Sequence, residues 1–196
     1  MGTAGNFSSV ISRDPLALAI TSTSVHKGTL AENQILVVDE RGAPHAQTAS
    51  GLRPSAETLL HVEIVRRRGA GAVLHTHSIW STILSEHFAA RGGVEIEGYE
   101  MLKALAGNTT HDAREIVPII DNDQNMERLG ARLGATLAEN PGAHAVLLRK
   151  HGVYTWGTTL AEAERHIEVI EFLFEAVGRS LLLRTQETTY GTLENS

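Results

Sequence analysis

The 196-residue sequence has no cysteine, which excludes disulfide bonds and every metal site built on thiolates. It also lacks long apolar runs, since the uninterrupted hydrophobic stretches are only a few residues long, as in Ala145–Leu148. A helix that crosses a membrane needs about 20 apolar residues. We therefore expect no membrane partner.

An excess of positive charge is absent as well. Lys and Arg number 17 against 23 Asp and Glu, which gives a formal charge of −6 at pH 7. A chain of this charge is poorly suited to the phosphate backbone, and we expect no nucleic-acid partner. The N-terminus carries no basic segment followed by an apolar stretch, so we predict a cytoplasmic location.

The glycine fingerprints of nucleotide-binding proteins, GxGxxG and GxxxxGK[ST], are also missing. Three segments are nevertheless candidates for binding phosphate: a Gly/Asn/Ser loop at 5–9, a hydroxyl run at 21–24, and Ser55. Ser55 is predicted to be the N-cap of a helix, where backbone N–H groups attract anions. Without a nucleotide fingerprint beside them, these segments favour a small phosphorylated substrate.

The composition is that of an ordinary globular protein, with 42% hydrophobic and 20% charged residues and no repeat or linker. We predict a single domain over residues 1–196, with a polar tail at 185–196. Strands and helices alternate only in part, which favours an α/β class with a mixed sheet flanked by helices. Strands are predicted at 16–21, 34–39, 70–76, 115–120 and 143–149, and helices at 55–68, 79–88, 99–106, 126–140 and 160–184.

Histidine is the most informative residue type, because ten are present and histidine is the usual nitrogen ligand of zinc. His75 and His77 are two apart at the end of a predicted strand, so their side chains point the same way. His151 directly follows another predicted strand. If those strands are neighbours, three imidazoles converge, and three histidines with an open position are typical of a catalytic zinc site.

Other titratable groups carry weaker signals. Glu57 follows the loop before a predicted helix and Glu100 begins a short one, and either could be a general base beside a metal. His61 is predicted on a helix surface. His166 is predicted to form an exposed pair with Glu162, four residues earlier.

Five motifs together resemble the class II aldolase/adducin family, and the resemblance extends from residue 5 to about residue 184. They are GNFS at 5–8, ITSTS at 20–24, RPSAET at 53–58, HTH at 75–77 and RKHGV at 149–153. Three further segments resemble a branch of the family that dehydrates a sugar phosphate. They are GYEMLKAL at 98–105, VPIIDN at 117–122 and HGVYTWG at 151–157.

The resemblance implies a central, mainly antiparallel sheet flanked by helices, and a zinc ion, one per subunit, held by the three histidines. It implies that Glu100 is the acid/base carboxylate of the dehydratase branch, and that Glu57 is the carboxylate that aldolases use beside the metal. Residues that match phosphate-binding positions are Asn6, Thr23 and Ser55, and Ser24, next to Thr23, is a further candidate. Two positions depart from the aldolase pattern, because Ser24 stands where glycine is usual and Ala56 where a second serine is usual. Ser24 could alter the phosphate loop, since serine lacks the backbone freedom of glycine.

The resemblance also implies a homo-oligomer, expected to be a tetramer, with active sites at subunit interfaces. The helix that normally precedes the GNFS motif is not found before residue 5, which puts oligomer packing near the N-terminus in question. The predicted reaction is dehydration of a 5-substituted pentulose 1-phosphate. Aldol cleavage of a similar substrate is the alternative, because one metal site serves both reactions, and a non-catalytic adducin-like scaffold is the third possibility.

Overall fold

One eight-stranded sheet organises the chain. The computed structural model describes residues 5–23, 25–45 and 51–193. Strand order is β3-β2-β1-β4-β8-β7-β6-β5, and every neighbouring pair is antiparallel except β6 with β7. The strands are β1 Gly5–Arg13, β2 Leu16–Thr21, β3 Ile35–Asp39, β4 Ala72–Thr76, β5 Gly93–Glu97, β6 Arg114–Ile120, β7 Ala145–Leu148 and β8 Gly152–Gly157. The expected mainly antiparallel α/β architecture is confirmed.

Helices cover both faces of this sheet. They are α1 Thr58–Arg68, α2 Ile79–His87, α3 Met126–Glu139 and α4 Leu160–Leu193. Successive strand residues face opposite sides, so Val73 of β4 packs in a core with α1 and α3, while Leu74 packs in a second core with α2 and α4. The result is a three-layer arrangement in which β4 and β8 are buried at the centre. None of the helices described has the length and apolar character needed to span a membrane.

The predicted loop at residues 5–9 is wrong, because these residues form the first part of β1. Strand β1 pairs with β2 on one side and with β4 on the other. Its buried positions include Asn6 and Ser8, which are polar. Their hydrogen-bond partners lie about fifty residues further along the chain, so the local sequence reads as a polar turn although the segment is an interior strand.

Other element boundaries differ from the prediction. Helix α1 begins at Thr58 with Glu57 in the N-cap position, so Ser55 is not its cap. Ser55 Oγ instead accepts a hydrogen bond from the backbone N–H of Glu57 at 3.2 Å. The predicted helix at 99–106 is a shorter 3-10 helix, Glu100–Ala104, and α4 continues to Leu193 rather than ending near residue 184. Strands β5 and β8 have no counterpart among the predicted elements.

Pairing of β4 with β8 positions the candidate site. The two strands predicted to carry the histidines, β4 and β7, are not neighbours, because β8 lies between them. The register places His75 opposite Tyr154 and Thr76 opposite Val153, so the C-terminal end of β4 lies beside the N-terminal end of β8. His77 follows β4 directly and His151 precedes β8 directly. Both histidines therefore reach the same edge of the sheet.

Candidate active site

Three imidazoles and one carboxylate converge at this edge. The Nε2 atom of His77 lies 2.8 Å from Nε2 of His75 and 2.9 Å from Nε2 of His151. Glu57 Oε1 is 3.2 Å from His151 Nε2, and Glu57 Oε2 is 3.7 Å from His75 Nε2. These four residues offer ligand atoms that all lie within 4.8 Å of one another. We call this group the histidine–glutamate cluster.

Protons alone do not satisfy the nitrogens of this cluster. His75 donates its Nδ1–H to the carbonyl oxygen of Val153 at 3.0 Å, which leaves Nε2 as a bare lone pair. His77 Nε2 can donate one hydrogen to His75 or to His151, but not to both. A divalent cation accepts all three lone pairs at once, and a donor set of three imidazoles with a carboxylate suits zinc. The residues therefore fit a metal ion.

Burial also keeps the three histidines neutral, as metal ligation requires. It is the leading cause that lowers the pKa of His75 well below the ordinary histidine value, with the neighbouring His151 and His77 adding to the effect. Burial likewise lowers the pKa of His77 and of His151. Deprotonated nitrogens facing one point need little rearrangement to accept a cation.

The turn between β7 and β8 fixes His151. Lys150 adopts a left-handed backbone conformation with φ of 57°, which is uncommon outside glycine. Its backbone N–H donates to Ser85 Oγ at 3.0 Å, and Thr82 Oγ1 donates to the carbonyl oxygen of His151 at 3.2 Å. Helix α2 thus holds both sides of this turn.

Gly152 permits β4 and β8 to approach closely at the cluster. A Cβ atom built there overlaps the carbonyl oxygen of Thr76 and lies 3.0 Å from both His75 Cε1 and His77 Cδ2. Any larger residue must displace a ligand ring or the strand itself. The glycine after His151 is therefore a requirement of the site.

Glu57 is joined to two of the predicted phosphate-binding residues. Asn6 Nδ2 donates to Glu57 Oε2 at 2.7 Å and to Ser55 Oγ at 3.2 Å. Thr23 is exposed, and its backbone N–H donates to the carbonyl oxygen of Arg53 at 3.0 Å, in the segment that leads to Ser55. The structure therefore brings Asn6, Ser55 and Thr23 to the loop that carries Glu57. Ser24 lies outside the described residues.

Glu100 is placed differently from the other predicted residues. Its side chain is 72% exposed and pairs with Lys103 Nζ at 2.6 Å, which lowers the pKa of the carboxyl group. His111 lies at 4.0 Å on its other side. Glu100 is not a member of the histidine–glutamate cluster, and among the described residues the carboxylate at the cluster is that of Glu57.

Sequence reasoning missed two side chains that shape the site. Tyr154 is fully buried on β8 beside the cluster, and burial together with the charge of Glu57 raises its pKa well above the ordinary value. The prediction that His61 lies on a helix surface is wrong, because its ring has 0% exposure and bonds to Asn6 and Ser8. The available signal is its spacing, because a residue four after Glu57 lies on the same helix face.

The predicted exposed pair of His166 with Glu162 is also wrong, because the His166 ring is buried. Its Nδ1 donates to the carbonyl oxygen of Trp156 at 2.7 Å, and its Nε2 accepts the backbone N–H of Ala106 at 3.1 Å. His166 therefore ties α4 to the sheet, at the end of β8 opposite the histidine–glutamate cluster.

Comparison with known proteins agrees with the fold. The family model for the class II aldolase and adducin N-terminal domain matches residues 1–177. The chain therefore belongs to the class II aldolase/adducin family.

Curated relatives from several bacteria carry one name, methylthioribulose-1-phosphate dehydratase. The protein of Methylococcus capsulatus is 45% identical over 174 residues, which are 88% of this chain and 81% of the relative. That of Xanthomonas campestris pv. campestris is 44% identical over 184 residues, 93% of this chain and 82% of the relative. That of Marinobacter nauticus is 41% identical over 183 residues, 93% of this chain and 86% of the relative.

Solved structures support the architecture. An L-fuculose 1-phosphate aldolase superposes with a TM-score of 0.73 at 23% identity, covering 93% of this chain and 78% of the other. The L-fuculose-1-phosphate aldolase of Thermus thermophilus gives 0.71 at 24% identity, covering 94% of this chain and 87% of the other. At these identities the likeness establishes the fold.

Proposed function

We propose that this chain is a zinc-dependent dehydratase of 5-methylthioribulose 1-phosphate, which it converts to 5-methylthio-2,3-dioxopentyl phosphate in methionine salvage. The observation that carries the proposal is the convergence of three imidazole Nε2 atoms beside a carboxylate, in a chain 41–45% identical to relatives that bear the dehydratase name. We also propose that it acts in the cytoplasm, which cell fractionation with an antibody would check.

His75, His77 and His151 would hold the zinc ion. When bound, zinc supplies a Lewis acid that stabilises negative charge on a substrate oxygen, an effect worth several kcal/mol. Metal analysis of protein purified without chelators should find about one zinc per chain, and a folded preparation that has none argues against the assignment.

Phosphate binding is assigned to Asn6, Thr23, Ser24 and Ser55. Asn6 Nδ2 and Ser55 Oγ are 3.2 Å apart and lie next to Glu57, so a sugar phosphate anchored there is held within reach of the histidine–glutamate cluster. Ser55→Ala should raise KM for the phosphorylated substrate more than it lowers kcat.

The reaction needs one proton removed from C3 and one delivered to the departing C4 hydroxyl. Loss of that hydroxyl as water leaves an enol, which becomes the 2,3-diketone. We assign this proton transfer to Glu100, with Glu57 as the alternate base at the cluster. Because Glu100 is exposed and outside the cluster of its own subunit, we propose that it serves the cluster of a neighbouring subunit.

Mixed oligomers test this assignment. Glu100→Gln alone and His77→Ala alone should each be inactive, and Glu100→Gln should retain its zinc. Refolding the two together should restore part of the activity if Glu100 acts on a neighbour. No recovery from two inactive variants would refute action across subunits, and an active Glu100→Gln beside an inactive Glu57→Gln would assign the proton step to Glu57.

An oligomer is part of the same proposal. Ile79 and Ile83, one turn apart on α2, are 75% and 50% exposed, and an exposed aliphatic stripe of this kind is typical of a protein contact. The double variant Ile79→Glu/Ile83→Glu should elute as a smaller species than the wild type in size-exclusion chromatography with light scattering. An unchanged mass would exclude this stripe from the interface.

Aldol cleavage is the second candidate, because a carboxylate at a metal site can also take the C4 hydroxyl proton, and two superposable structures are aldolases. The product decides between the reactions. Incubation with the substrate should yield a diketone and no dihydroxyacetone phosphate, whereas release of that triose phosphate would favour the aldolase. The complete cluster speaks against an adducin-like scaffold, which needs no convergent ligands.

A further inference from the structure

A buried chain of hydrogen bonds runs from β1 through α1 to the histidine–glutamate cluster. His61, which has no exposed surface, bonds through Nδ1 to Ser8 Oγ at 2.7 Å and through Nε2 to Asn6 Oδ1. Asn6 continues the chain through Nδ2 to Glu57 Oε2 at 2.7 Å. Glu57 in turn lies 3.2 Å from His151.

The chemistry of the partners sets the direction of each bond. Oδ1 of Asn6 can only accept, so His61 donates its Nε2–H and keeps a lone pair on Nδ1, which accepts from the Ser8 hydroxyl. Burial lowers the pKa of His61 to about 3, which keeps the ring neutral with one proton. The imidazole is therefore fixed in a single tautomer.

That tautomer decides which way the Asn6 amide faces. In the opposite orientation, Oδ1 of Asn6 would face the Glu57 carboxylate, and two acceptor oxygens would repel each other. With Oδ1 occupied by His61, the NH2 group points at Glu57 and Ser55. This one NH2 group then donates hydrogen bonds to both Glu57 Oε2 and Ser55 Oγ.

We propose that His61 is a positioning residue that sets the Asn6 amide and, through it, aims Glu57 at the three histidines. The inference depends on the metal site of the proposed function and adds a residue that touches neither the metal ligands' nitrogens nor the substrate. Residues that orient the groups around a metal typically change its affinity 10- to 100-fold when replaced.

Zinc affinity, measured by competition with a chromophoric chelator, tests the proposal without any substrate. His61→Leu removes the donor and should weaken zinc binding about tenfold or more. His61→Gln places an amide N–H at the position of Nε2 and should stay within about threefold of the wild type. Circular dichroism checks that both variants fold. If His61→Leu does not fold, Asn6→Ala replaces it, because that variant breaks the same series of hydrogen bonds between His61 and Glu57.

A double-mutant cycle shows whether His61 acts through Glu57. In a Glu57→Ala background, His61→Leu should cause no further loss of zinc affinity. Wild-type affinity in His61→Leu, or an equal loss with and without Glu57, would overturn the inference. A protein that follows this pattern but dehydrates no substrate would refute the proposed function and leave the role of His61 intact, while a wild type that binds no zinc would refute both.

Discussion

The ring of Tyr154 stacks face to face on the ring of His75, with centroids 3.9 Å apart and an interplanar angle of 11°. The two residues are register partners on β8 and β4. The stack, together with the bond from His75 Nδ1 to Val153, fixes the His75 imidazole in both tilt and rotation. Tyr154 therefore supports the histidine although it offers no ligand to the cluster.

Two substitutions of Tyr154 distinguish the contribution of its ring to zinc binding from that of its hydroxyl group. Tyr154→Phe keeps the stack and should bind about one zinc per chain with affinity close to the wild type. Tyr154→Leu loses the aromatic face and should bind zinc about tenfold more weakly, the lower end of the range for residues that orient metal ligands. Equal affinities for the two variants would contradict a role for the stack.

Zinc should stabilise the folded chain, because the histidine–glutamate cluster exists only when β4 and β8 are paired. At a free zinc concentration 100 times the Kd, the gain is about 2.7 kcal/mol, or about 5–10 °C in Tm for a domain of this size. Differential scanning calorimetry with zinc and with EDTA measures the shift. His77→Ala is the control and should lose most of it, whereas an identical shift in that variant would place the stabilising zinc elsewhere.

Gly152→Ala adds only one methyl group, but this group should damage the site. The added methyl overlaps the carbonyl oxygen of Thr76 and crowds the rings of His75 and His77, so we expect a loss of about 1–3 kcal/mol in the free energy of unfolding together with weaker zinc binding. Gly130→Ala is the control, because a Cβ there meets nothing within 4 Å and alanine favours the helix. That variant should match or exceed wild-type stability.

His144 should make stability depend on pH. Its Nδ1 donates to Glu115 Oε2 and its Nε2 to the carbonyl oxygen of Ala106, both at 2.8 Å, so the ring is held as an imidazolium. Burial lowers the pKa of His144 and nearby Arg68 opposes the charge, but Glu115 and the carbonyl outweigh them and the net pKa is raised. Among the described residues the His166 ring also faces it, with the two ring centroids 5.2 Å apart.

Proton linkage predicts that the free energy of unfolding falls as the pH rises through the pKa of His144. A folded pKa above the unfolded one adds stability that is complete below the ordinary histidine pKa of about 6.5 and is lost as pH rises through the folded value. Urea unfolding at pH 6 and pH 9 should therefore show a larger loss in the wild type than in His144→Gln. The same loss in both proteins would assign the pH dependence to other groups.

The centre of the candidate site could be predicted because its signals are local. Two histidines two apart at a strand end share a face whatever the rest of the fold, and His151 follows a strand that is apolar enough to recognise. The long-range assumption, that the strands before His77 and before His151 are neighbours, is wrong. The three rings converge nevertheless, because His151 lies in the turn that leads into β8, and β8 is the strand that pairs with β4.

The surroundings of the three histidines could not be predicted from the sequence, because they depend on partners that are distant along the chain. Strand β1 has polar residues at buried positions, and only the later fold supplies His61, Glu57 and Ser55 to bond them. The spacing of His61 from Glu57 indicates only a shared helix face, and the burial of His61 depends on its partners Asn6 and Ser8 on β1. The proposed action of Glu100 on a neighbouring subunit would depend on contacts between chains, which a local sequence pattern does not encode.

The cluster draws together residues 57, 75, 77 and 151, and its two outer segments are separated by more than ninety positions of chain. A cation bound there would act as a reversible cross-link. Closing so long a loop costs conformational entropy, and this cost is offset only once the central strands have paired. Tight capture of the ion thus reports the completion of folding. Removing the ion would break this long-range cross-link, while β4 and β8 would stay paired and share their core with α1.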